Sequence, residues 1–297
     1  MKTKKDAKKQ QPVRDMREMT LMEHLAELRD RLKICLISIG VSTLIMLAFP
    51  AQILNPMELL SGIYKPLVSI ILQQIVNLVK PPEMQIIGGT ITAPLEIYFI
   101  ASLVFGLGFS SPIVGYEVYK YIDPALYPHE RRLVYPFVAA FTGLFTTGLF
   151  FGLFLISPFT FRAMIIFFDL VGALPMITVM DFYMTILVVT VATGAIFTTP
   201  IFIIIFVRIG LISTKSIEKN RKWIYGIGYI VAAIITPDGG VFANLILLGF
   251  LIVLVESGIV IAKRYERRRA EEERLCPFCG EYMGDRIFCP HCGRSRL

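Results

Sequence analysis

The sequence predicts an all-α polytopic membrane protein with six transmembrane helices, both termini in the cytoplasm and a small zinc ribbon at the C-terminus. Three observations lead to this prediction. Of the 297 residues, 55% are hydrophobic and only 18% are charged, with a mean hydropathy of +0.65, which is too apolar for an ordinary soluble domain. Six runs are nearly free of charge and approach the ~20 residues of a membrane-spanning helix. Four cysteines form two closely spaced pairs near the end of the chain.

The six apolar runs define the predicted spans. They cover 34–54, 94–118, 133–156, 182–207, 222–237 and 239–262. The segment 66–79 is also apolar, but as a helix it reaches only about 21 Å, less than the ~30 Å hydrocarbon core, so we expect an amphipathic helix on the outer surface. The last two spans are short, and either they thin the membrane locally or flanking residues simply anchor them.

The distribution of basic residues predicts the orientation. Of the 30 Lys and Arg residues, 27 lie before the first span, in the second and fourth loops, or after the last span. Only Lys65, Lys80 and Arg162 remain for the opposite face. By the positive-inside rule, the termini and these two loops are expected in the cytoplasm. The net charge of +7 lies in blocks between apolar spans, so nucleic-acid binding is not expected.

The remaining segments complete the domain division. Residues 1–19 form a basic tail that we expect to be disordered and to contain no cleaved signal peptide. Residues 20–262 form the membrane domain, 263–275 a highly charged helical linker, and 276–297 the zinc ribbon.

A helix is predicted to begin before the first span. Thr20 and Glu23 have the spacing of a capping box, which satisfies backbone N–H groups at a helix start. Glu27 and Arg31 follow on one helix face together with His24. The spacing alone favours an ordinary ion pair between Glu27 and Arg31, worth about 0.3–0.5 kcal/mol, and leaves a binding role open.

The loop between the second and third spans is stiff and carries an acidic residue near the membrane surface. Pro124 and Pro128 restrict its backbone, and Glu130 precedes two arginines. A carboxylate held in this way can accept paired hydrogen bonds from a guanidinium group. The alternative is a solvated turn in which Glu130 neutralises Arg131 or Arg132.

Three segments carry motifs that occur together in one protein family. They are His24-Leu25-Ala26-Glu27-Leu28-Arg29-Asp30-Arg31-Leu32, then Ser111-Pro112 followed by Pro124-Ala125-Leu126-Tyr127 and His129-Glu130-Arg131-Arg132-Leu133, and finally Thr236-Pro237-Asp238. With these motifs the chain resembles the TatC family, the six-span receptor subunit of the twin-arginine protein translocase. The similarity extends in order from about Thr20 to Tyr265, and the zinc ribbon is an addition to the family pattern.

The resemblance implies a signal-peptide site on the cytoplasmic face. Glu27 and Glu130 are expected to contact the paired arginines of the signal, with Tyr121, His129 and Arg29 in the same site. Position 121 is commonly Phe in the family, so Tyr121 keeps the ring and adds a hydroxyl. A compact ammonium cannot satisfy acceptors arranged for a guanidinium fork, so Arg-Arg can be distinguished from Lys-Lys.

Polar residues within the spans are further candidates. Glu256 lies seven residues before Lys263, about 10 Å of helix inside the membrane boundary, where an ionisable side chain is costly and is a functional candidate by default. It resembles the acidic residue of the family's sixth span. Thr198 stands where the family often has an acidic or amide side chain in the fourth span. Glu96, near the outer end of the second span, is either a polar lining position or an interfacial carboxylate facing water.

Two C-x-x-C knuckles predict a structural metal site at the C-terminus. Cys276, Cys279, Cys289 and Cys292 supply four thiolates for a tetrahedral Zn²⁺, and each knuckle is closed by a glycine that permits the required turn. His291 would be redundant as a ligand. Disulfides are the alternative, although a reducing cytoplasm disfavours them. Four protein ligands leave no open position for catalysis.

The sequence predicts a receptor and not an enzyme. It contains no nucleotide-binding glycine loop, nucleophile elbow or H-E-x-x-H motif. The resemblance implies a protein of the cell membrane that binds twin-arginine signals of folded cargo, recruits TatA-type and TatB-type single-span subunits, and associates with further copies of itself and with lipids, without a cofactor for transport. Two alternatives are a small-molecule secondary transporter with a zinc-ribbon tail, against which no inverted repeat is visible, and a zinc-dependent membrane enzyme.

Overall fold

The fold is that of a computed structural model, in which apolar helices account for most of the chain. The structure describes residues 21–50, 65–122, 134–235 and 241–273, and near the C-terminus 275–276, 279–282, 284, 286–293 and 295. The elements are α1 (Leu21–Ala48), α2 (Leu67–Val79), β1 (Gln85–Ile87), α3 (Ala93–Ile122), α4 (Val134–Phe151), a π-helical turn (Gly152–Ile156), α5 (Ser157–Val171), β2 (Met176–Thr178), α6 (Val179–Arg208), α7 (Thr214–Lys219), α8 (Arg221–Ile235) and α9 (Val241–Glu273).

Among the described residues, five helical segments are long and apolar enough to cross a membrane. They are Leu25–Ala48, Ala93–Ile122, Tyr135–Val171, Val179–Arg208 and Asn244–Arg268. The predicted span 222–237 falls on α8, whose 15 residues are too few for this group. The all-α membrane architecture is confirmed, and the count of six spans stays a prediction.

The third of these segments continues beyond its predicted span. Sequence analysis ends the span at 156, whereas α4 passes through the π-helical turn into α5 and ends only at Val171. Pro158 lies in the first positions of α5, where the missing backbone N–H is tolerated. The Ser157 hydroxyl donates to the Gly152 carbonyl at 2.8 Å and helps to satisfy the irregular turn.

The bundle has two chemically different ends. At the strand end, β1 pairs in parallel with β2, with Gln85 opposite Met176. The buried face of α2, including Val68 and Leu72, packs there against Phe161 and Phe182. At the other end, which we call the charged end, α1 and α4 begin and α3 and α6 finish. The candidate site lies at the charged end.

Candidate functional site

A cluster of two carboxylates and one guanidinium joins α1 to α3 at the charged end. We call Glu27, Arg31 and Glu117 the α1–α3 acidic cluster. Arg31 Nε donates to Glu27 Oε1 at 3.0 Å, and Arg31 Nη2 donates to the same oxygen. Arg31 Nη1 donates to Glu117 Oε2 at 3.2 Å. The side chains of Glu27 and Arg31 are 20% and 19% exposed, and that of Glu117 only 7%.

Close packing of α1 on α3 explains why residues 86 positions apart meet. A Cβ added to Gly106 of α3 would lie 2.7 Å from Thr43 Oγ1 and 2.8 Å from the Thr43 backbone nitrogen, so only glycine permits this approach. Glu117 lies 11 residues after Gly106, and Arg31 lies 12 residues before Thr43. Since both stretches rise by about 17 Å along antiparallel helices, the Gly106–Thr43 contact sets the register that brings Arg31 to Glu117.

The α1–α3 acidic cluster has capacity for one more cation. Two carboxylates and one guanidinium leave a formal charge of −1 in a partly desolvated position. Glu27 Oε2 is buried and has no hydrogen-bond partner among the described residues. Because an unpaired buried acceptor is costly, this oxygen is poised to accept a hydrogen bond from an incoming donor.

The structure places the predicted signal-site residues differently. Tyr121 is half-buried one helical turn after Glu117, on the same side of α3. Arg29 is exposed and pairs with Asp30 at 3.3 Å, away from Glu27. His129 and Glu130 lie outside the described residues. The pairing of Glu27 with Arg31, the ordinary alternative in the sequence, is present.

Sequence analysis missed Glu117. It falls at the end of the predicted span 94–118, and its partner Arg31 is too distant along the chain for a spacing argument. One signal was available, because an ionisable residue within an apolar span is a functional candidate by default. We applied that rule to Glu256 and Glu96 and not to Glu117.

A second charged cluster joins α7, α8 and α9 at the same end. We call Glu218, Arg221, Glu256 and Lys263 the α7–α9 clamp. Arg221 forms an ion pair with Glu256 at 2.9 Å and donates a hydrogen bond to Glu218 at 3.1 Å, and Lys263 forms an ion pair with Glu218. The Tyr225 hydroxyl donates to Glu256 at 2.7 Å. Hydrogen bonds from Lys263 and then from Arg221 hold the pKa of Glu218 below its ordinary value of 4.5.

The other polar candidates lie deeper or at the strand end. The Thr198 hydroxyl is buried and donates to the Ala195 carbonyl at 2.7 Å, so its proton is already used within α6. Glu96 is exposed in the first turn of α3. Roles for Thr198, Glu96 and Glu256 in transport stay predictions.

A cavity of about 410 Å³ lies between α3, α4 and α6. Ser111, Thr142 and Thr190 are among its lining residues, and their buried hydroxyls have no hydrogen-bond partner among the described residues. Pro112, also in the wall, supplies no backbone N–H to the carbonyl of Gly108. Sequence analysis missed this group, because isolated hydroxyls in apolar spans resemble ordinary packing positions.

The four C-terminal cysteines come together as a candidate metal centre. The sulfurs of Cys276, Cys279, Cys289 and Cys292 all lie within 4.8 Å of one another. Two of the Sγ–Sγ distances are 3.6 and 3.5 Å, close to the ~3.8 Å edge of a tetrahedral site with 2.3 Å Zn–S bonds. Gly280 and Gly293, which follow the two knuckles, adopt φ values of +74° and +69° that favour glycine. This geometry fits a four-thiolate metal site.

Comparison with known proteins identifies one family. The family model described as "Sec-independent protein translocase protein (TatC)" matches residues 23–249, well over half of the chain. TatC of Aquifex aeolicus (strain VF5) is 29% identical over 257 residues, covering 86% of this chain and 100% of that protein. TatC of Methanocella arvoryzae (strain DSM 22066 / NBRC 105507 / MRE50) is 30% identical over 256 residues, covering 85% and 96%.

Solved structures agree with this comparison. A "Crystal Structure of Twin Arginine Translocase Receptor- TatC" matches with a TM-score of 0.68 and 28% identity, covering 82% of this chain and 100% of that one. A second crystal structure of the receptor, in DDM, matches with a TM-score of 0.69 and 27% identity. The family match ends at residue 249, before the cysteine cluster begins.

Proposed function

Because the chain belongs to the TatC family of Sec-independent protein translocase subunits, we propose that it is the receptor that binds twin-arginine signal peptides at the cytoplasmic face. Family membership makes it a multi-pass membrane component of the twin-arginine translocase and not an enzyme. The signal site, the orientation and the recruitment of partners are the proposal.

The observation that carries the proposal is the buried Oε2 of Glu27, which has no partner in the part of the chain that the structure describes, within a cluster of net charge −1. A guanidinium group can donate two parallel N–H bonds to such a carboxylate, whereas an ammonium presents a compact point charge. We assign Glu27 to one arginine of the signal. Glu130, Tyr121, His129 and Arg29 complete the proposed site on the strength of the family motifs.

The distribution of basic residues supports the orientation. The charged end carries the three basic residues at positions 29–33 of α1 and the five between positions 208 and 222, so the positive-inside rule assigns it to the cytoplasm. Signal peptides of folded cargo would arrive on that side. TatA-type and TatB-type single-span subunits, further copies of this chain and lipids would then contact the apolar faces of the helices, such as the exposed Leu36, Ile37 and Leu44 on α1.

Photocrosslinking tests the receptor proposal. Membrane vesicles containing the full chain are mixed with a signal peptide that carries a photoreactive group beside either Arg-Arg or Lys-Lys. We expect crosslinking at least about tenfold stronger for Arg-Arg, and a similar loss for Glu27→Gln with the Arg-Arg peptide. Asp30→Asn is the matched control, because it removes one exposed charge from the same helix.

Equal labelling by the two peptides, or wild-type labelling of Glu27→Gln, would contradict the receptor proposal. Uptake of a small solute by vesicles containing this chain alone would favour the secondary transporter instead.

We also propose that the C-terminal cysteines bind one structural Zn²⁺. When bound, the ion would tie the two knuckles together and supply much of the folding free energy of this small segment. The purified chain is expected to contain one zinc per molecule and the variant Cys276→Ser/Cys289→Ser none, whereas His291→Ala keeps the metal. Zinc retained by the cysteine variant, or a disulfide between these cysteines found by mass spectrometry without added reductant, would contradict this site.

A further inference from the structure

Arg31 already occupies the kind of position that an arriving signal arginine needs. Its guanidinium donates twice to Glu27 Oε1 and reaches Glu117 Oε2 with a third N–H group. The second oxygen of Glu27 remains without a partner among the described residues. Arg31 therefore occupies only one of the two oxygens of Glu27. Its guanidinium is the same chemical group as the side chain of the proposed ligand, a signal arginine.

We propose that Arg31 is a resident competitor for the signal's arginine and that Glu117 is the carboxylate to which Arg31 moves when the signal takes Glu27. This inference rests on the proposed function, since it assumes that Glu27 receives a signal arginine. It assigns Arg31 and Glu117 as positioning residues that set the specificity of the site.

Charge balance makes the exchange favourable. In the empty cluster, one guanidinium serves two carboxylates, so one negative charge is uncompensated. After the exchange, the signal arginine pairs with Glu27 and Arg31 pairs with Glu117, and each carboxylate has its own cation. The exchange therefore removes the excess negative charge of the empty cluster and keeps a cation on each carboxylate, which avoids the large cost of an unpaired buried charge.

The movement required of Arg31 is small. Its Nη1 is already 3.2 Å from Glu117 Oε2, and the guanidinium has five N–H donors, of which the described contacts use three. A side-chain rotation can therefore exchange the bonds to Glu27 for a second bond to Glu117, without movement of α1 or α3. The Gly106–Thr43 contact keeps these helices in register meanwhile.

A resident guanidinium also explains how the site can reject lysine. A ligand must replace the two N–H bonds that Arg31 gives to Glu27. A second guanidinium can do so with its planar fork, whereas an ammonium cannot reproduce that geometry. Because Arg31 already occupies Glu27, only a ligand that hydrogen-bonds to Glu27 at least as strongly as a guanidinium group can displace it.

A double-mutant cycle in lipid nanodiscs tests the exchange. The full chain is titrated with a fluorescent signal peptide containing Arg-Arg or Lys-Lys, and the variants are Glu117→Gln, Arg31→Gln and the combination of the two. Glu117→Gln is expected to weaken Arg-Arg binding roughly tenfold, a size typical of coupling between contacting residues, because Arg31 then stays on Glu27. Adding Arg31→Gln to Glu117→Gln is expected to restore wild-type affinity or exceed it.

The Lys-Lys peptide gives a second readout that a merely structural role would not change. Without the competitor, the combined variant is expected to lose most of the preference for Arg-Arg over Lys-Lys. Arg31→Gln alone leaves two carboxylates without a cation, so its melting temperature is measured alongside. The combined variant keeps the test valid if the single variant folds poorly, because it removes the cation together with one carboxylate.

Two outcomes would overturn the inference while leaving the receptor proposal intact. Wild-type affinity in Glu117→Gln would mean that Glu117 takes no part. Affinity of the combined variant as low as that of Glu117→Gln would mean that Glu117 binds the signal directly and that Arg31 does not compete. Wild-type affinity in Glu27→Gln is a different result, since it would refute the receptor proposal itself.

Discussion

The α1–α3 acidic cluster and the α7–α9 clamp use the same side-chain chemistry at the same end of the bundle, yet they differ in charge and in burial. The first contains two carboxylates and one cation, the second two carboxylates and two cations. In the clamp, each carboxylate has two polar partners and the side chains are 28–41% exposed. In the acidic cluster, one oxygen of Glu27 is buried without a described partner.

The comparison shows that the presence of glutamate and arginine does not by itself mark a binding site. The clamp is balanced, so an incoming cation would have to displace Arg221 or Lys263 with no gain in charge compensation. The acidic cluster has an excess negative charge and an acceptor that is unpaired within the described ranges, so an added guanidinium improves it. The clamp thus connects helices, and the acidic cluster is the better candidate for the proposed receptor site.

The largest expected difference between the two clusters is in ligand affinity. Glu27→Gln should weaken binding of an Arg-Arg peptide by about tenfold or more, whereas Glu256→Gln should leave it unchanged. Glu27→Gln should hardly change the melting temperature, because Arg31 keeps its pair with Glu117. Peptide titration and thermal melting of both variants measure this, and an equal loss of affinity in Glu256→Gln would remove the distinction between the clusters.

The next largest expected effect is a loss of stability when the α7–α9 clamp is disrupted. Arg221→Gln takes an ion-pair partner from both Glu218 and Glu256 and should lower the melting temperature, although by less than the loss of a fully buried pair would, because water screens these side chains. Peptide affinity should not change. Arg29→Gln, which removes an exposed arginine that pairs with its neighbour Asp30, is the stability control. A stable Arg221→Gln protein would show that the clamp contributes little.

A smaller change in stability tests whether polar atoms without a described partner are truly unsatisfied in the folded protein. Thr142→Val and Thr190→Val keep the side-chain shape and remove hydroxyls that have no described partner, so each should stabilise the protein by about 1 kcal/mol. Thr147→Val is the control, because its hydroxyl donates to the Gly143 carbonyl. If the valine variants are instead less stable, water or another molecule satisfies these hydroxyls, and the unpartnered oxygen of Glu27 becomes weaker evidence for a ligand site.

The smallest effect is a dependence of stability on pH that belongs to the clamp. Lys263 and Arg221 lower the pKa of Glu218 in the folded protein. The stability that the ionised Glu218 adds to the fold is therefore fully present above the ordinary pKa of 4.5 and is lost as the pH falls through the lower folded value. Between about pH 5 and 3, the melting temperature should therefore fall less steeply with decreasing pH for Glu218→Gln than for the wild type. Parallel curves would contradict the role of this pair.

Some features could be predicted because they depend on neighbours along the chain. The apolar runs, the helix leading into the first span, the Glu27–Arg31 pair and the two cysteine knuckles all follow from composition or short spacing. The length of the helix through α4 and α5 could not, because a π-helical turn allows it to continue past Gly152 and to accept Pro158. Glu117 could not be linked to Arg31, because their meeting depends on how α1 packs along α3.

By itself, the sequence determined that this is an all-α membrane protein of the TatC type with a cysteine-rich end, since apolar length, charge asymmetry and C-x-x-C spacing are local properties. Only the tertiary structure decided that Arg31 is shared by two carboxylates and that one oxygen of Glu27 has no partner in the described part of the chain. The physical reason is packing. A glycine at position 106 lets α3 approach Thr43 of α1, and the packing of the two helices along their length brings Arg31 and Glu117, far apart in the chain, together at the charged end.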